Sequence, residues 1–401
     1  MKNVIHSFNR LRSYCEKENF KGYDPYDGLN STVFQAIPFA KKSAICRLIM
    51  IQTFKRCPVN LRKLFLVPKG YNAKGIGLFL QGYCNLWQLI NTKPELEKKL
   101  GSKEEIYCRI IELADLLLTL QSQGYSGSCW GYNFDWQSKA FFLPKYTPTV
   151  VATSFVVESL LSAYEITKNG QYINTAFSSA NFILNDLNRI EKERGFMFSY
   201  SPLDNRAVYN ASLLGSKTLS LFYKYTLENE YKRIAKITTG AVINIQNEDG
   251  SFPHSDQVGN TWRDNFHTGF KLESIRTYIE CCKDNQFEKP LEKGFNYWID
   301  NFFDNKTGLC YYYDRGMSDT IDMHCAAQAI TTIYKLGKFQ QYENLIDKMV
   351  SWGLNNMFDT KKGYFYFQMQ GKKKNKIKYI RWSNAWMFYA LSYYLKGKYN
   401  G

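Results

Sequence analysis

Histidine is scarce in this chain, with four residues in 401. An imidazole that recurs in a pattern is therefore informative. The ten cysteines include no Cys-x-x-Cys pair, which removes the common zinc and redox signatures. Cys46, Cys84 and Cys108 fall within helical patterns, where cysteine acts as a small hydrophobe, so reduced thiols are expected. There is no phosphate-cradling glycine loop, dinucleotide fingerprint or hydrolase nucleophile elbow. No window approaches the ~18 uncharged apolar residues of a membrane span. The start, Met1-Lys-Asn-Val-Ile-His-Ser-Phe8, has neither the apolar core nor the small-residue cleavage site of a secretory leader. The expectation from these absences is a cytoplasmic chain with no cofactor, no metal and no transmembrane segment.

What is present is a large stock of core-forming residues, 45% hydrophobic and 16% aromatic, with a net charge of +16. That charge suits an anionic partner such as a uronate glycan, a lipid diphosphate or nucleic acid, without choosing among them. Much of the excess is dispersed lysine. The one concentrated run, Gly371-Lys-Lys-Lys-Asn-Lys-Ile-Lys378, reads as a solvated loop or as a phosphate or glycan contact.

The chain is organised by a repeat. Asn210, His267, His324 and Asn384 each open a nearly uncharged helical stretch, and they stand 57, 57 and 60 residues apart. Small-residue-rich stretches at 73–90, 148–167, 207–226, 265–282, 322–336 and 382–396 alternate with amphipathic, charged ones at 103–122, 170–190, 228–247, 287–303 and 339–355. Helices apolar on most faces must be surrounded, and amphipathic ones face water. The expectation is an all-α (α/α)6 toroid over 1–401, six inner helices inside six outer ones, with 31–56 supplying the first outer partner. Residues 1–30, including the turn-rich Gly22-Tyr-Asp-Pro-Tyr-Asp-Gly-Leu-Asn30, would cap the barrel as a lid or a plug. Glycines 131, 195, 250, 308 and 363 each precede alternating aromatics, which predicts short hairpins crowning the end where the inner helices begin.

Chemistry is expected at that end. Aligning the inner helices puts Ala152, Asn210, His267, His324 and Asn384 at matching first-turn positions, with Arg263, Asp264, Asp322, Trp262 and Trp382 just before them and Asp135 and Trp136 on a preceding loop. Asp264 and Asp322 fit helix capping and a direct site role equally. For His267 and His324 the site reading is preferred, because two of four histidines share one repeat position. Trp136, Trp262 and Trp382 are core fillers or sugar-stacking platforms, and His254 and Asp256 belong to a rim turn that could touch substrate. Two chemistries fit. Glycoside hydrolysis would pair Asp135 with Asp264 or Asp322. Proton abstraction beside a uronate carboxylate, as in lyases and epimerases, would use Asn210, Arg263, His267, His324 and Tyr146. A zinc site at His324-Cys325 with Asp322 is disfavoured, since adjacent helical side chains diverge by about 100°.

The segments Tyr23-Asp-Pro-Tyr-Asp-Gly-Leu-Asn-Ser31, Cys129-Trp-Gly-Tyr-Asn-Phe-Asp-Trp-Gln137 and Trp262-Arg-Asp-Asn-Phe-His267 resemble a family of bacterial α/α-toroid proteins of exopolysaccharide and capsule biosynthesis, the VpsJ type, across nearly the whole chain. The resemblance implies a toroid like those of terpenoid cyclases, prenyltransferases or six-hairpin glycosidases, and a role in making surface glycans. It brings no catalytic motif. The combined expectation is a protein that binds and modifies an anionic or lipid-linked saccharide and has no nucleic-acid partner. The alternatives are a non-catalytic glycan-binding scaffold and a prenyl-diphosphate enzyme.

Overall fold

The computed structural model describes residues 1–138, 141–256, 262–314 and 318–400. Along the chain run helix α1 (Lys2–Lys17), the short α2 (Thr32–Gln35) and α3 (Pro38–Lys42), then α4 (Ala44–Arg56) and α5 (Ala73–Thr92). There follow α6 (Glu97–Leu100), α7 (Lys103–Thr119), α8 (Val150–Thr167), α9 (Gly170–Asn181), α10 (Tyr209–Thr226) and α11 (Asn229–Ile243). The last five are α12 (Asn265–Cys282), α13 (Glu288–Phe302), α14 (Met323–Lys335), α15 (Glu343–Asn356) and α16 (Trp386–Asn400). Helices α5, α8, α10, α12, α14 and α16 pack each on the next, and α16 returns to α5, closing the ring. This is the (α/α)6 toroid that the alternation of apolar and amphipathic stretches predicts.

Two details differ from expectation. The sixth outer position belongs to α1, whose Phe8 stacks on Phe388 of α16 at 5.0 Å and whose Glu16 accepts a hydrogen bond from Tyr83 of α5. Helix α1 is amphipathic and buries Val4, Ile5, Phe8, Leu11 and Cys15 along one stripe, which is the signature of an outer helix. Helix α4 instead lies over the mouth, against residues 27–30 and 136–137. The second difference concerns α8. It is long and apolar enough to cross a membrane, and the fold uses it as an inner stave with 67% of it buried.

The hairpin prediction holds in part. Gly195, Gly308 and Gly363 adopt φ of +96°, +76° and +78° and turn the two-stranded ribbons 189–192/195–198, 303–304/309–310 and 358–359/364–365. A side chain is disfavoured at such φ. Gly250 makes a turn without strands, and Gly131 forms a single bridge to Pro148.

Farther along the inner helices a buried ion network joins four of them. Glu158 receives Lys217 and Lys335 at 2.7 Å each, while Glu273 lies 3.3 Å from Lys335 and accepts from Gln328 at 2.5 Å. Burial raises the Glu158 pKa, yet the two ammonium groups outweigh it and carry it from 4.5 down to about 2. A depressed carboxylate contributes stability that is present above its unfolded pKa and is lost as pH falls toward the folded value. The melting temperature is thus expected to drop between about pH 4.5 and 2, and Glu158→Gln should flatten that limb of a melting series.

Candidate active site

The N-termini of the inner helices open onto a cavity of about 600 Å³. Its geometry follows from capping. Asn72, Thr149 and Asp264 each accept a hydrogen bond from the backbone N–H three residues on, and Asp322 from the one two residues on. The second helical residue after each cap then points inward: Lys74, Val151, Asn210, Phe266 and His324 all line the cavity. His267 is one residue further along. So His267 and His324 do not share a repeat position, and they sit in different surroundings.

His267 is the best-placed acid–base group. Its Nδ1 lies 2.5 Å from Asp264 Oδ2, while its backbone N–H donates to Asp264 Oδ1 at 2.8 Å. Asp264 is buried, and the His267 side chain is 22% exposed and lines the cavity. With Nδ1 held by a carboxylate, Nε2 is the nitrogen left to face a ligand. Helix capping and orientation of an imidazole coincide in Asp264.

His254 stacks on Trp262 with ring centroids 3.9 Å apart and stands 4.8 Å from the His267 ring. Lys271 fastens its loop by donating to the carbonyls of Phe252 and Pro253. Burial, reinforced by His267 and Lys271, lowers the His254 pKa to about 2, so the ring is neutral at ordinary pH. Its Nδ1 is buried without a partner among the described residues. Ligand atoms of His254, Asp264 and His267 lie within 4.8 Å of one another, a set that could hold a metal ion, although both Asp264 oxygens are already engaged by His267.

His324 is clamped between Phe266 and Trp386, at 4.3 and 4.2 Å, with neither ring nitrogen hydrogen-bonded among the described residues. Burial, then Lys74 and Arg381, holds its pKa well below the usual value. Sequence reasoning missed Lys74. Its ammonium nitrogen sits over the rings of Phe155, Phe270 and Trp386 at 4.3, 4.9 and 5.1 Å, with no carboxylate partner among the described residues, and burial followed by Arg381 lowers its pKa strongly. Arg381 enters from the wide π-helical turn Ile380–Ala385 and is paired with Asp24 at 2.5 and 2.9 Å. Tyr26, Tyr132, Phe134, Trp136, Trp262 and Trp382 add aromatic faces.

Several expected site residues lie elsewhere. Asp322 is fully buried and saturated by Trp382 Nε1 at 2.9 Å, Gln368 at 2.5 Å and the His324 N–H, and burial raises its pKa to about 6. It is a cap and a Trp382 anchor, outside the cavity lining. Asn384 turns inside the protein to accept from the Phe365 N–H and donate to the Tyr379 carbonyl. Asp135 accepts from the Lys145 N–H, Asp256 pairs with Lys192 at 2.7 Å, and Tyr146 is 55% exposed; none lines the cavity. Arg263 points away to Asp314, which also takes the Tyr297 hydroxyl. Asn210, His254, Trp136, Trp262 and Trp382 do line it.

No family model and no curated protein matches the chain. Solved structures do. It is similar to an unsaturated glucuronyl hydrolase specific for heparin at 12% identity, with TM-score 0.63 over 99% of this chain and 97% of that one. A cellobiose 2-epimerase from Bacillus thermoamylovorans superposes at 12% identity and TM-score 0.62, covering 97% and 98% of the two chains. A glycoside hydrolase family 76 alpha-mannanase from Bacteroides thetaiotaomicron superposes at 15% identity and TM-score 0.60, covering 81% and 87%. At such identities the likeness establishes the six-hairpin toroid fold.

Proposed function

We propose that the chain is a carbohydrate-active enzyme that moves a proton at carbon on an acidic saccharide, with His267 as the base. The observation that carries this reading is His267, partly exposed on the wall of an aromatic-lined cavity and backed by the buried Asp264. Tryptophan and tyrosine faces suit the apolar faces of sugar rings. His267 Nε2 would take a proton from the carbon next to a carboxylate or carbonyl; the C–H electron pair moves onto that group's oxygen, where Lys74 or Arg381 balances the charge. Protonation of that carbon from the opposite face gives epimerisation, protonation of the neighbouring carbon of an enediol gives isomerisation, and loss of a leaving group from the neighbouring carbon gives elimination. Hydrolysis by two carboxylates is less well supported. Among the described residues Asp204 is the one carboxylate on the lining, and it is committed to Ser201 and the Arg206 N–H. The neighbouring toroids described as a sugar epimerase and as a D-mannose isomerase support a saccharide substrate.

The acidic character of the substrate rests on charge balance. Lys55, Lys74, Arg206 and Arg381 line the cavity, and Asp24 pairs only with Arg381. A buried cation without a counter-ion is costly, and an anionic ligand would supply one. Lys74→Met is therefore expected to weaken binding of uronate oligosaccharides by roughly 10- to 100-fold, the value of a charge-assisted contact, and to leave neutral sugars unaffected. Calorimetry on both ligand types reads this directly, and equal loss for both would contradict an anion-binding lysine. The resemblance noted above adds the expectation that the saccharide, free or lipid-linked, belongs to surface-polysaccharide synthesis.

A further inference from the structure

Between Gly28 and Pro94 the chain has no aspartate or glutamate, while 31–70 carries eight lysines and arginines. This same stretch forms the lid at the cavity mouth: α4 packs on 27–30 and 136–137, and its Lys55 reaches the lining and bonds the Tyr26 hydroxyl at 3.1 Å. Its outer surface is apolar. Of the twelve large hydrophobic side chains exposed among the described residues, eight fall within 33–66, including Phe39 at 75%, Ile45 at 69%, Ile49 at 61% and Leu64 at 74%. Ile45 and Ile49 are one helical turn apart and so share a face of α4, while Ile51 and Phe54 are buried beneath. Lys41, Lys42, Arg56 and Lys63 are exposed alongside.

Clustered exposed hydrophobics mark an interaction surface. A second copy of the chain is a poor occupant, because pairing two acid-free lids would bring like charges together. An acidic bilayer satisfies both features at once: its interfacial region accepts the apolar side chains, and its headgroups attract the cations. We infer that the lid 31–70 is a docking surface for an anionic phospholipid bilayer, which holds the cavity mouth at the membrane. This stands independently of the chemistry assigned to the cavity, and it gives a lipid-linked saccharide a short path to the site.

The test is co-sedimentation of the full chain with phosphatidylglycerol vesicles and with phosphatidylcholine vesicles at low and high salt. The expected result is at least roughly tenfold stronger partition onto phosphatidylglycerol, weakening with salt. Ile45→Ser with Ile49→Ser, and separately Lys41→Glu with Lys42→Glu, should each reduce it about tenfold without changing the melting temperature. Absence of binding to either vesicle, or phosphatidylglycerol binding that neither pair of substitutions alters, would overturn the inference. So would a dimer in sedimentation velocity that Ile45→Ser with Ile49→Ser abolishes while vesicles are ignored.

Discussion

Replacing His267 with alanine is expected to lower turnover by roughly 10²- to 10⁴-fold, the range for loss of a positioned acid–base group. The side chain is partly exposed to the cavity, so the fold should survive and the loss should appear in kcat. Asp264→Asn is the sharper companion. Asparagine caps a helix about as well as aspartate, so the bond from the His267 N–H and the start of α12 are retained. What disappears is the negative charge 2.5 Å from Nδ1 that orients the imidazole. The variant should melt near the wild-type temperature and still lose most of its turnover. If Asp264→Asn is fully active, the carboxylate is a cap alone and the dyad has no catalytic meaning.

The second large effect is on stability. Arg381 is 4% exposed and has Asp24 as its bidentate partner, and Asp24 also accepts from the Tyr26 N–H. Beside it, Asp27 pairs with Arg62 at 2.6 Å, and Arg62 donates to the Asp24 carbonyl. Removing one member of a buried pair strands the other charge, which costs about 3–5 kcal/mol. Asp24→Ala should destabilise by that amount in chemical denaturation. Asp24→Ala combined with Arg381→Met should recover much of the loss, because no bare charge is left inside. A double variant as unstable as the single one would show that the pair is not the source of the penalty.

The fold was legible in the sequence because two signals agreed: helices apolar all round alternated with amphipathic ones, and each outer helix was followed by a turn glycine and aromatics. The ring's first outer member was misplaced for a physical reason. Residues 44–56 are apolar and helical, but α4 carries Ile45 and Ile49 outward, so its hydrophobicity does not mark a core face. Within the site, Asn210 and His324 could be found from repeat spacing, His267 from the same count although it stands one position further along its helix, and Trp262 and Trp382 from their neighbours. Asn384 shared that spacing and Asp322 stood just before it, yet both are consumed by capping and by Trp382, Gln368 and Phe365. Spacing alone cannot tell a side chain aimed into the barrel from one folded back onto the backbone. Lys74 carried one usable clue: like His324 it is the second residue after a helix cap, Asn72 in one case and Asp322 in the other. A lysine in an apolar stretch reads as an interruption until the aromatic rings around it are seen.

The central claim is proton transfer at carbon by His267, and solvent exchange measures it most directly. Wild type and His267→Ala would be incubated in D₂O with uronate oligosaccharides and with neutral disaccharides, and the carbon-bound protons followed by NMR. Wild type is expected to replace one proton, on a carbon beside a carboxylate or carbonyl of the acidic sugar, with deuterium, and His267→Ala to leave that signal intact. Cleavage of a glycosidic bond with no deuterium entering carbon, or exchange that persists in His267→Ala, would contradict it.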